Sequence, residues 1–312
     1  IEQGSKLIKS NGSADAIKDI FKANKKNPEV LLGMGRAYFE VKDTANAAKY
    51  ANLALARDKK YAKAYILLGD IAVVQDDGGK AAEWYQQAKY FDPKDPEGYF
   101  KYANILRGRS PEEAVANLND LRQQRPDIAV DALAARIYYS SNLLEKSINC
   151  YDNVADKSKL EDVDITNYAT GAWMLQKRDK SLEMAKYGLT RNARKAAWNR
   201  LAFYNLTDMN QTEEALKYAE ALFTASDSAK ISGFDYTYYG TALKNAKQYD
   251  KAIEMFQNAA KENKDNKEQL NIARKNLADA YTAKEDYESA IKFYNEYLAN
   301  IEKPSAFDFA GL

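Results

Sequence analysis

The chain has 312 residues, with 46 Lys and Arg against 45 Asp and Glu, and it contains no histidine. A net charge of +1 gives no broad positive field, which argues against a generic binder of nucleic acid or acidic membranes. Without histidine the chain lacks the usual general base and the commonest metal ligand, and its one cysteine, Cys150, allows no internal disulfide. An enzyme is therefore disfavoured, and no cofactor, metal site or catalytic residue is predicted.

The remaining composition favours helices without a membrane-spanning segment. Only 6 Pro and 14 Gly interrupt the chain. The longest apolar stretches are short, such as Tyr65–Leu68, whereas a helix that spans a bilayer needs roughly 20 apolar residues. We therefore expect no membrane span. The single cysteine is compatible with either redox compartment, so a bacterial periplasm or envelope and a cytoplasm both stay open.

A short motif recurs from one end of the chain to the other. It begins with a small residue, continues with a large apolar or aromatic residue about four positions later, and ends in a second small residue, as in Ala81, Tyr85 and Ala88. The first small residues of its occurrences lie 31 to 38 residues apart. These residues are Ala16, Ala47, Ala81, Ala114, Ser147, Ser181, Ala215, Ala252 and Ala290. The period indicates one structural unit that is repeated along the whole chain.

A second motif lies about a dozen residues before each of these positions. In Tyr65, Leu68 and Gly69, for example, large and small residues are spaced as neighbours on one face of an α-helix. Each period therefore predicts two antiparallel helices, A and then B, joined by a short turn. Small residues such as Gly69 and Ala81 let the two helix axes approach, and larger rings such as Tyr85 fill the space beside that contact.

Together the two motifs resemble the tetratricopeptide repeat family. The clearest matches are Tyr65, Leu68, Gly69, Ala81, Tyr85, Ala88 and Pro93 in one repeat, and Tyr239, Gly240, Ala252, Phe256 and Ala259 in another. The resemblance implies an all-α fold, a right-handed superhelical solenoid of antiparallel helix pairs. Ser147 and Ser181 depart from the family pattern because they replace the alanine that begins the B motif.

In this register the whole chain, 1–312, forms a single solenoid of about nine repeats. We predict complete repeats at about 29–61, 62–95, 96–127, 128–161, 162–194, 195–230, 231–267 and 268–303, with partial repeats at 1–28 and 304–312. Phe307, Ala310 and Gly311 repeat the spacing of an A motif, so the chain is expected to begin and end inside A helices. A segment of a longer array or a trimmed chain is the favoured explanation, and a disordered tail at 307–312 is the alternative.

The resemblance implies that the A helices line the inner, concave face of the array. On the middle repeats, helical periodicity directs one set of side chains toward that groove. The candidates are Phe100, Asn104, Arg107, Arg136, Tyr139, Trp173, Arg200 and Tyr204. Arg, Tyr and Trp dominate binding hot spots, so these positions predict a protein or peptide partner. The alternative is that they pack between helices or face solvent.

One known specialisation of the family is not expected. Members that capture the acidic C-terminal tail of heat-shock chaperones surround its carboxylate with Lys, Asn and Arg side chains from three A helices. No three consecutive repeats of this chain supply that set. The corresponding positions are Leu32, Arg36, Ile66, Asp70, Phe100 and Asn104.

Isolated polar and reactive groups have structural interpretations. Cys150 precedes the ring position Tyr151 on a B helix and has no histidine to activate it, so it is interpreted as a structural thiol. Ser110–Glu113 predicts a capping box that opens a B helix, because serine is followed three residues later by glutamate. Gly78–Gly79 predicts the turn between another A and B helix.

The favoured hypothesis for function is a non-enzymatic scaffold that binds a protein or peptide in the concave groove. Two alternatives stay open. The repeats could recruit substrate for a larger enzyme, or they could form a structural adaptor of a bacterial envelope complex. The identity of the partner is not encoded in the repeat pattern, because that pattern specifies packing positions.

Overall fold

The computed structural model describes residues 2–226 and 230–301, and its regular structure there is helical. Over these residues there is no strand, which confirms the predicted all-α fold. The chain divides into two compact units, Ile1–Ala155 and Asp156–Leu312. No described helix combines the length and the apolar character needed to cross a bilayer.

The described part of unit one consists of alternating A and B helices. They are α1 (Glu2–Lys9), α2 (Ala14–Asn24), α3 (Pro28–Glu40), α4 (Thr44–Arg57), α5 (Ala62–Val74), α6 (Gly78–Phe91), α7 (Pro96–Leu106), α8 (Pro111–Gln124), α9 (Asp131–Ser140) and α10 (Leu144–Asp152). Odd numbers denote A helices and even numbers denote B helices. Each A helix packs against the B helix that follows it, as expected for repeated helix pairs.

Unit two continues the same alternation. Its helices are α11 (Asp162–Met174), α12 (Arg178–Arg191), α13 (Ala196–Asp208), α14 (Thr212–Glu220), α15 (Gly233–Asn245), α16 (Tyr249–Glu262), α17 (Lys267–Ala283) and α18 (Tyr287–Leu298). A short 3₁₀ turn, Lys157–Lys159, precedes α11, and α14 runs into a π-helical turn at Ala221–Ala225. A helices also contact one another here, α11 with α13, α13 with α15, and α15 with α17.

Most A–B turns share one backbone conformation. In the turn before α6, Asp76 has a φ of 58°, and the N–H of Asp77 donates to the carbonyl of Ala72 at 2.9 Å. This hydrogen bond reaches back across the end of the A helix and defines a Schellman cap, in which one residue takes the left-handed conformation. The residues with positive φ in the described chain are Asn11, Lys42, Asp76, Asn142, Gln176, Asn210, Lys247 and Glu285. None of them is glycine.

Glycines on A helices face aromatic rings on B helices, as the sequence motifs predict. A Cβ atom at Gly69 would lie 2.7 Å from Cδ1 of Tyr85, and one at Gly240 would lie 2.7 Å from Cδ1 of Phe256. Both rings are almost fully buried. A larger residue at either glycine would have to displace the ring from a close-packed interior.

The two serines that depart from the family pattern occupy the same buried contact as the alanines they replace. The hydroxyl of Ser147 donates to the carbonyl of Ala135 at 2.9 Å, and that of Ser181 donates to the carbonyl of Ala169 at 2.8 Å. Both serines are fully buried. The substitutions therefore keep the small contact between the A and B helices and add one hydrogen bond to it.

Two local predictions are wrong. Ser110 is the N-cap of α8, but its side chain makes no capping hydrogen bond. Glu113 is instead an acceptor for the hydroxyl of Tyr102, at 3.0 Å, so its carboxylate is directed toward α7. Gly78 is the first residue of α6, and the turn before it lies at Gln75–Asp77.

The number of complete repeats and their predicted boundaries stay predictions. Phe307, Ala310 and Gly311 fall outside the described residues. Most of the described helix pairs share the same A–B turn conformation. Equivalent positions on successive A helices therefore lie in similar surroundings.

Candidate partner-binding face

Unit one places five of the eight predicted side chains on two A helices. Phe100 and Asn104 lie on α7 and Arg107 is its C-terminal cap, while Arg136 and Tyr139 lie on α9. Asn104 and Arg107 are exposed, and the other three are half-buried. Phe100 packs against a core cluster built from α7, α8 and α9, so part of its ring stabilises the fold.

A shallow groove of about 290 Å³ lies beside Asn104 on the A helices of unit one. Its lining residues are Phe39, Asp70, Val73, Val74, Tyr85, Lys101, Asn104 and Ile105. The carboxylate of Asp70 accepts from the hydroxyl of Tyr85 at 2.8 Å and from Nζ of Lys101 at 2.7 Å. Val74 is 62% exposed beside this paired charge. The groove therefore offers apolar contacts next to an ion pair, Asp70 with Lys101, whose charges compensate each other.

Unit two brings the other three predicted side chains together on α11 and α13. Trp173 on α11 lies next to Tyr204 on α13, with ring centroids 5.9 Å apart. Arg200 lies one turn before Tyr204 on α13. Trp173 and Arg200 are half-buried, whereas Tyr204 is only 4% exposed. Tyr204 therefore has little surface available to a partner and acts mainly by packing against its neighbours.

Asp235 on α15 joins Arg200 and Tyr204 into one network. Its Oδ1 accepts from Nε of Arg200 at 2.6 Å and from the hydroxyl of Tyr204 at 2.7 Å. Its Oδ2 accepts from the N–H and the hydroxyl of Ser232, both at 2.8 Å, which forms a capping box at the start of α15. Burial alone would raise the pKa of Asp235, but the hydrogen bonds from Arg200, Ser232 and Tyr204 hold it below its ordinary value. The carboxylate is thus a fixed anion inside the repeat array.

Aromatic rings extend this network across three consecutive A helices. The ring of Tyr204 stacks on that of Tyr238 with centroids 4.1 Å apart, and Phe234 meets both rings from the start of α15. Phe234 is 40% exposed. We call Trp173, Tyr204, Phe234 and Tyr238 the aromatic cluster. Such contacts fix ring orientations before any partner arrives.

A second ion pair borders the aromatic cluster. The guanidinium of Arg178 lies 5.6 Å from the ring centroid of Trp173 and pairs with Asp208 at 2.9 Å. Asp208 is also hydrogen-bonded to the hydroxyl of Tyr238, and burial raises the pKa of that hydroxyl above its ordinary value. Both arginines beside the aromatic cluster therefore have a carboxylate partner.

The repeat pattern missed the residues that complete this network. Asp208, Asp235, Phe234 and Tyr238 were not among the predicted side chains. A signal for Asp235 exists in the sequence, because serine followed three residues later by an acidic residue indicates a helix start. That signal predicts a cap but says nothing about a neighbouring arginine. Partner binding by the eight predicted residues stays a prediction.

Cys150 lies on α10 and packs against the core cluster of α7, α8 and α9. Burial, with a smaller contribution from Asp131, raises the pKa of its thiol above the ordinary value. A raised pKa reduces the fraction of thiolate, which is the reactive form. This environment fits the interpretation of Cys150 as a packing residue.

Sequence comparison supports the resemblance over two stretches of the chain. The family described as Tetratricopeptide repeat matches residues 32–96 and 240–306. The RxLR effector protein SFI4 of Phytophthora infestans (strain T30-4) is 42% identical over 69 residues, which make up 21% of this chain. This similarity spans only 20% of that protein.

Solved structures show similar helical folds at low sequence identity. A tetratricopeptide repeat protein from Parabacteroides merdae is 17% identical, with a TM-score of 0.46 over 79% of this chain and 98% of that one. A MamA fragment from Desulfovibrio magneticus is 17% identical, with a TM-score of 0.47 over 55% of this chain and 94% of that one. The Cut9–Hcn1 structure is 16% identical, with a TM-score of 0.41 over 88% of this chain and 66% of that one.

The two matched stretches agree with the packing of the helix pairs. The matched stretches include the glycine and ring pairs of Gly69 with Tyr85 and of Gly240 with Phe256. Antiparallel A–B pairs with repeated Schellman caps extend well beyond those stretches. Residues 32–96 and 240–306 thus match the tetratricopeptide repeat family, and the described helix pairs pack as that resemblance implies.

Proposed function

We propose that the chain is a non-enzymatic scaffold that binds a protein or peptide on the surface of its A helices. The observation that carries the proposal is the aromatic cluster, in which rings from α11, α13 and α15 touch in sequence and end in the 40% exposed Phe234. A rigid surface that spans several repeats loses little entropy when a partner binds.

The charges around the aromatic cluster favour a partner that is held by apolar and hydrogen-bonding contacts. Arg178 is paired with Asp208, and Arg200 with the fully buried Asp235. These arginines offer N–H groups and flat guanidinium surfaces with little uncompensated charge. We therefore expect a peptide segment with an aromatic or aliphatic side chain that packs on Phe234 and Trp173. Nucleic acid is not the expected partner.

Unit one would contribute a second group of contacts to the same function. Asn104 and Arg107 are exposed at the end of α7, beside the groove that Asp70 and Val74 line. Exposed amide and guanidinium groups next to apolar side chains suit the mixture of backbone and side-chain groups in a bound peptide.

An affinity pull-down from lysate, read by mass spectrometry, tests the proposal with Phe234→Ala as the main variant. Removing this exposed ring deletes partner contacts while leaving the buried Asp235 network in place. Specific partners retained by the unmodified chain should be lost or reduced about tenfold, in the range for a binding hot spot. Arg107→Ala tests unit one in the same way.

Tyr90→Ala is the matched control, because Tyr90 is a 77% exposed ring on the B helix α6. It should retain every specific partner. Thermal melts followed by circular dichroism should show a cooperative transition and full helicity at the assay temperature for all three variants, so that lost binding is not caused by unfolding. If Phe234→Ala and Arg107→Ala together retain the same partners at the same level as Tyr90→Ala, the A-helix surface is not the binding site.

A further inference from the structure

The B helix α2 differs from the other B helices of unit one. It has no fully buried residue, whereas α4, α6, α8 and α10 each bury at least three within the described part of the unit. The apolar side chains of Ile17, Ile20 and Phe21 on α2 are only half-buried. An amphipathic helix is stabilised chiefly by burial of its apolar stripe, so α2 retains apolar surface that another molecule can cover.

This incomplete packing leaves a cleft of about 600 Å³ in unit one, bordered by α2 on one side and by α3 and α4 on the other. Its apolar lining includes Ile17, Phe21, Tyr38 and Tyr50. The ring of Tyr50 stacks on Tyr38 with centroids 5.4 Å apart and meets the edge of Phe21 at 5.7 Å. Val41 lies at the mouth and is 43% exposed. The volume falls within the range of sites that hold ligands in proteins.

The rim of this cleft is predominantly positive. Lys18, Lys22 and Lys49 line it and are exposed. The carboxylate that also lines it, Asp43, is engaged in capping α4, because its two oxygens accept from the N–H and the side-chain amide of Asn46 at 3.0 and 2.7 Å. Nζ of Lys22 lies 3.5 Å from Oδ1 of Asp19, but both side chains are exposed and such a pair has a weak interaction energy. The three ammonium groups therefore dominate the charge around an apolar floor.

We propose that this lysine-rimmed cleft binds an acidic amphipathic segment of a partner protein. Apolar side chains of the segment would cover Phe21, Tyr38 and Tyr50, and its carboxylates would meet Lys18 and Lys49. This surface is formed mainly by α2, α4 and the A–B turns, and Ile8 of α1 and Tyr38 of α3 also line it. It shares no residue with the aromatic cluster or with the groove beside Asn104, so it does not depend on the proposed function.

A peptide fits the cleft better than an acyl chain because polar groups share its lining. Asn11, Gly12 and Asn46 line the same space as the apolar side chains. A peptide can exchange hydrogen bonds with polar residues in the lining, whereas a hydrocarbon chain cannot. Carboxylate and apolar groups are common to both ligands, so the experiment includes a fatty acid.

Fluorescence anisotropy on the full chain tests the proposal. The probe is a labelled synthetic peptide of 14 residues in which Leu and Glu alternate in helical register, compared with the same peptide carrying Lys in place of Glu. The acidic peptide should bind and the basic one should not. Replacing Lys18, Lys22 and Lys49 together by Glu should weaken binding about tenfold or more, because three attractive charge contacts become repulsive.

A control with the same change of charge replaces Lys59, Lys60 and Lys63, which are also exposed in unit one, by Glu. It should bind like the unmodified chain. Val41→Asp should weaken binding without affecting the fold, because that side chain already meets solvent. Equal binding of both peptides, or equal loss in the two lysine triples, would overturn the proposal. Displacement of the peptide by sodium laurate at low micromolar concentration would assign the cleft to acyl chains instead.

Discussion

At the scale of single residues, buried polar groups distinguish this chain from an average repeat pattern. Ser147 and Ser181 were predicted only as small residues, yet each hydroxyl is bonded to a carbonyl on the preceding A helix. The spacing of small residues predicts that two helices approach at these positions. It cannot predict the hydrogen bond, because the acceptor lies on another helix and its orientation depends on how the helices pack.

Asp235 is the residue where we expect the largest single loss of stability. Asp235→Asn removes the negative charge that faces the half-buried guanidinium of Arg200. Breaking such a pair should lower the free energy of unfolding by about 3 kcal/mol. Urea unfolding followed by circular dichroism measures this, and a loss of less than roughly 1 kcal/mol would contradict it. Glu254→Gln on the surface of α16 is a control for removal of an exposed carboxylate.

The same carboxylate predicts a particular dependence of stability on pH. The folded-state pKa of Asp235 is lower than its ordinary value of 3.8, so its contribution is fully present above the unfolded-state pKa. That contribution is lost as the pH falls through the lower folded-state pKa. Melting temperatures measured from neutral to acid pH should therefore fall less steeply for Asp235→Asn than for the unmodified chain. If the melting temperatures of the two proteins fall in parallel with pH, other carboxylates account for the loss of stability in acid.

At the scale of helices and turns, the A–B turn repeats a conformation that the sequence conceals. The turn was predicted at Gly78–Gly79, but the left-handed residue is Asp76. Glycine is the usual signal for that conformation, and here Lys, Gln, Glu, Asp and Asn take its place. The Schellman hydrogen bond and the packing of the following B helix must outweigh the cost of a side chain at positive φ.

Gln176 provides a direct test of that cost. Its φ is 58°, in a conformation that costs a residue with a Cβ roughly 1–2 kcal/mol. Gln176→Gly should raise the free energy of unfolding by about 0.5 kcal/mol after the greater freedom of glycine in the unfolded chain is subtracted. Gln176→Val should lower it, because a branched Cβ is strained there. The urea midpoint should be highest for Gln176→Gly and lowest for Gln176→Val. The reverse order would contradict the assignment of strain to this turn.

Gly69 tests the close approach of an A helix to a B-helix ring. Alanine is better than glycine in helices by about 1 kcal/mol, so propensity alone favours Gly69→Ala. The new methyl group would collide with the ring of Tyr85, and overpacking of this kind costs about 1–3 kcal/mol. We expect a net loss of stability in thermal melts. Gly108→Ala is the control, since a Cβ there meets nothing within 4 Å, and it should be neutral.

At the scale of the whole molecule, stability should vary along the chain. Repeat proteins are stabilised by contacts between neighbouring repeats, so a poorly packed pair opens without unfolding the rest. The helix α2 buries no residue fully, whereas α13 buries nine. Amide hydrogen exchange read by mass spectrometry should therefore be fastest in α2 and slowest in α13. Equal protection of the two helices would contradict this gradient.

The fold was far more predictable than the candidate site. A period of 31 to 38 residues predicts helix pairs because small and large residues must alternate wherever two helices touch. The network at Asp235 depends on side chains that approach from separate A helices, more than thirty residues apart in sequence. Helical periodicity predicts the face on which Arg200 lies, but it does not predict that a carboxylate on the next A helix reaches it.

The neutralised arginines of unit two have a consequence for conditions in solution. Because Arg178 and Arg200 are already paired, binding at the aromatic cluster should change little with ionic strength, whereas binding at the lysine-rimmed cleft should weaken as salt screens its exposed ammonium groups. Two surfaces on one chain would then respond differently to the same rise in salt concentration. A scaffold of this kind can release one partner and retain another without any change in its own fold.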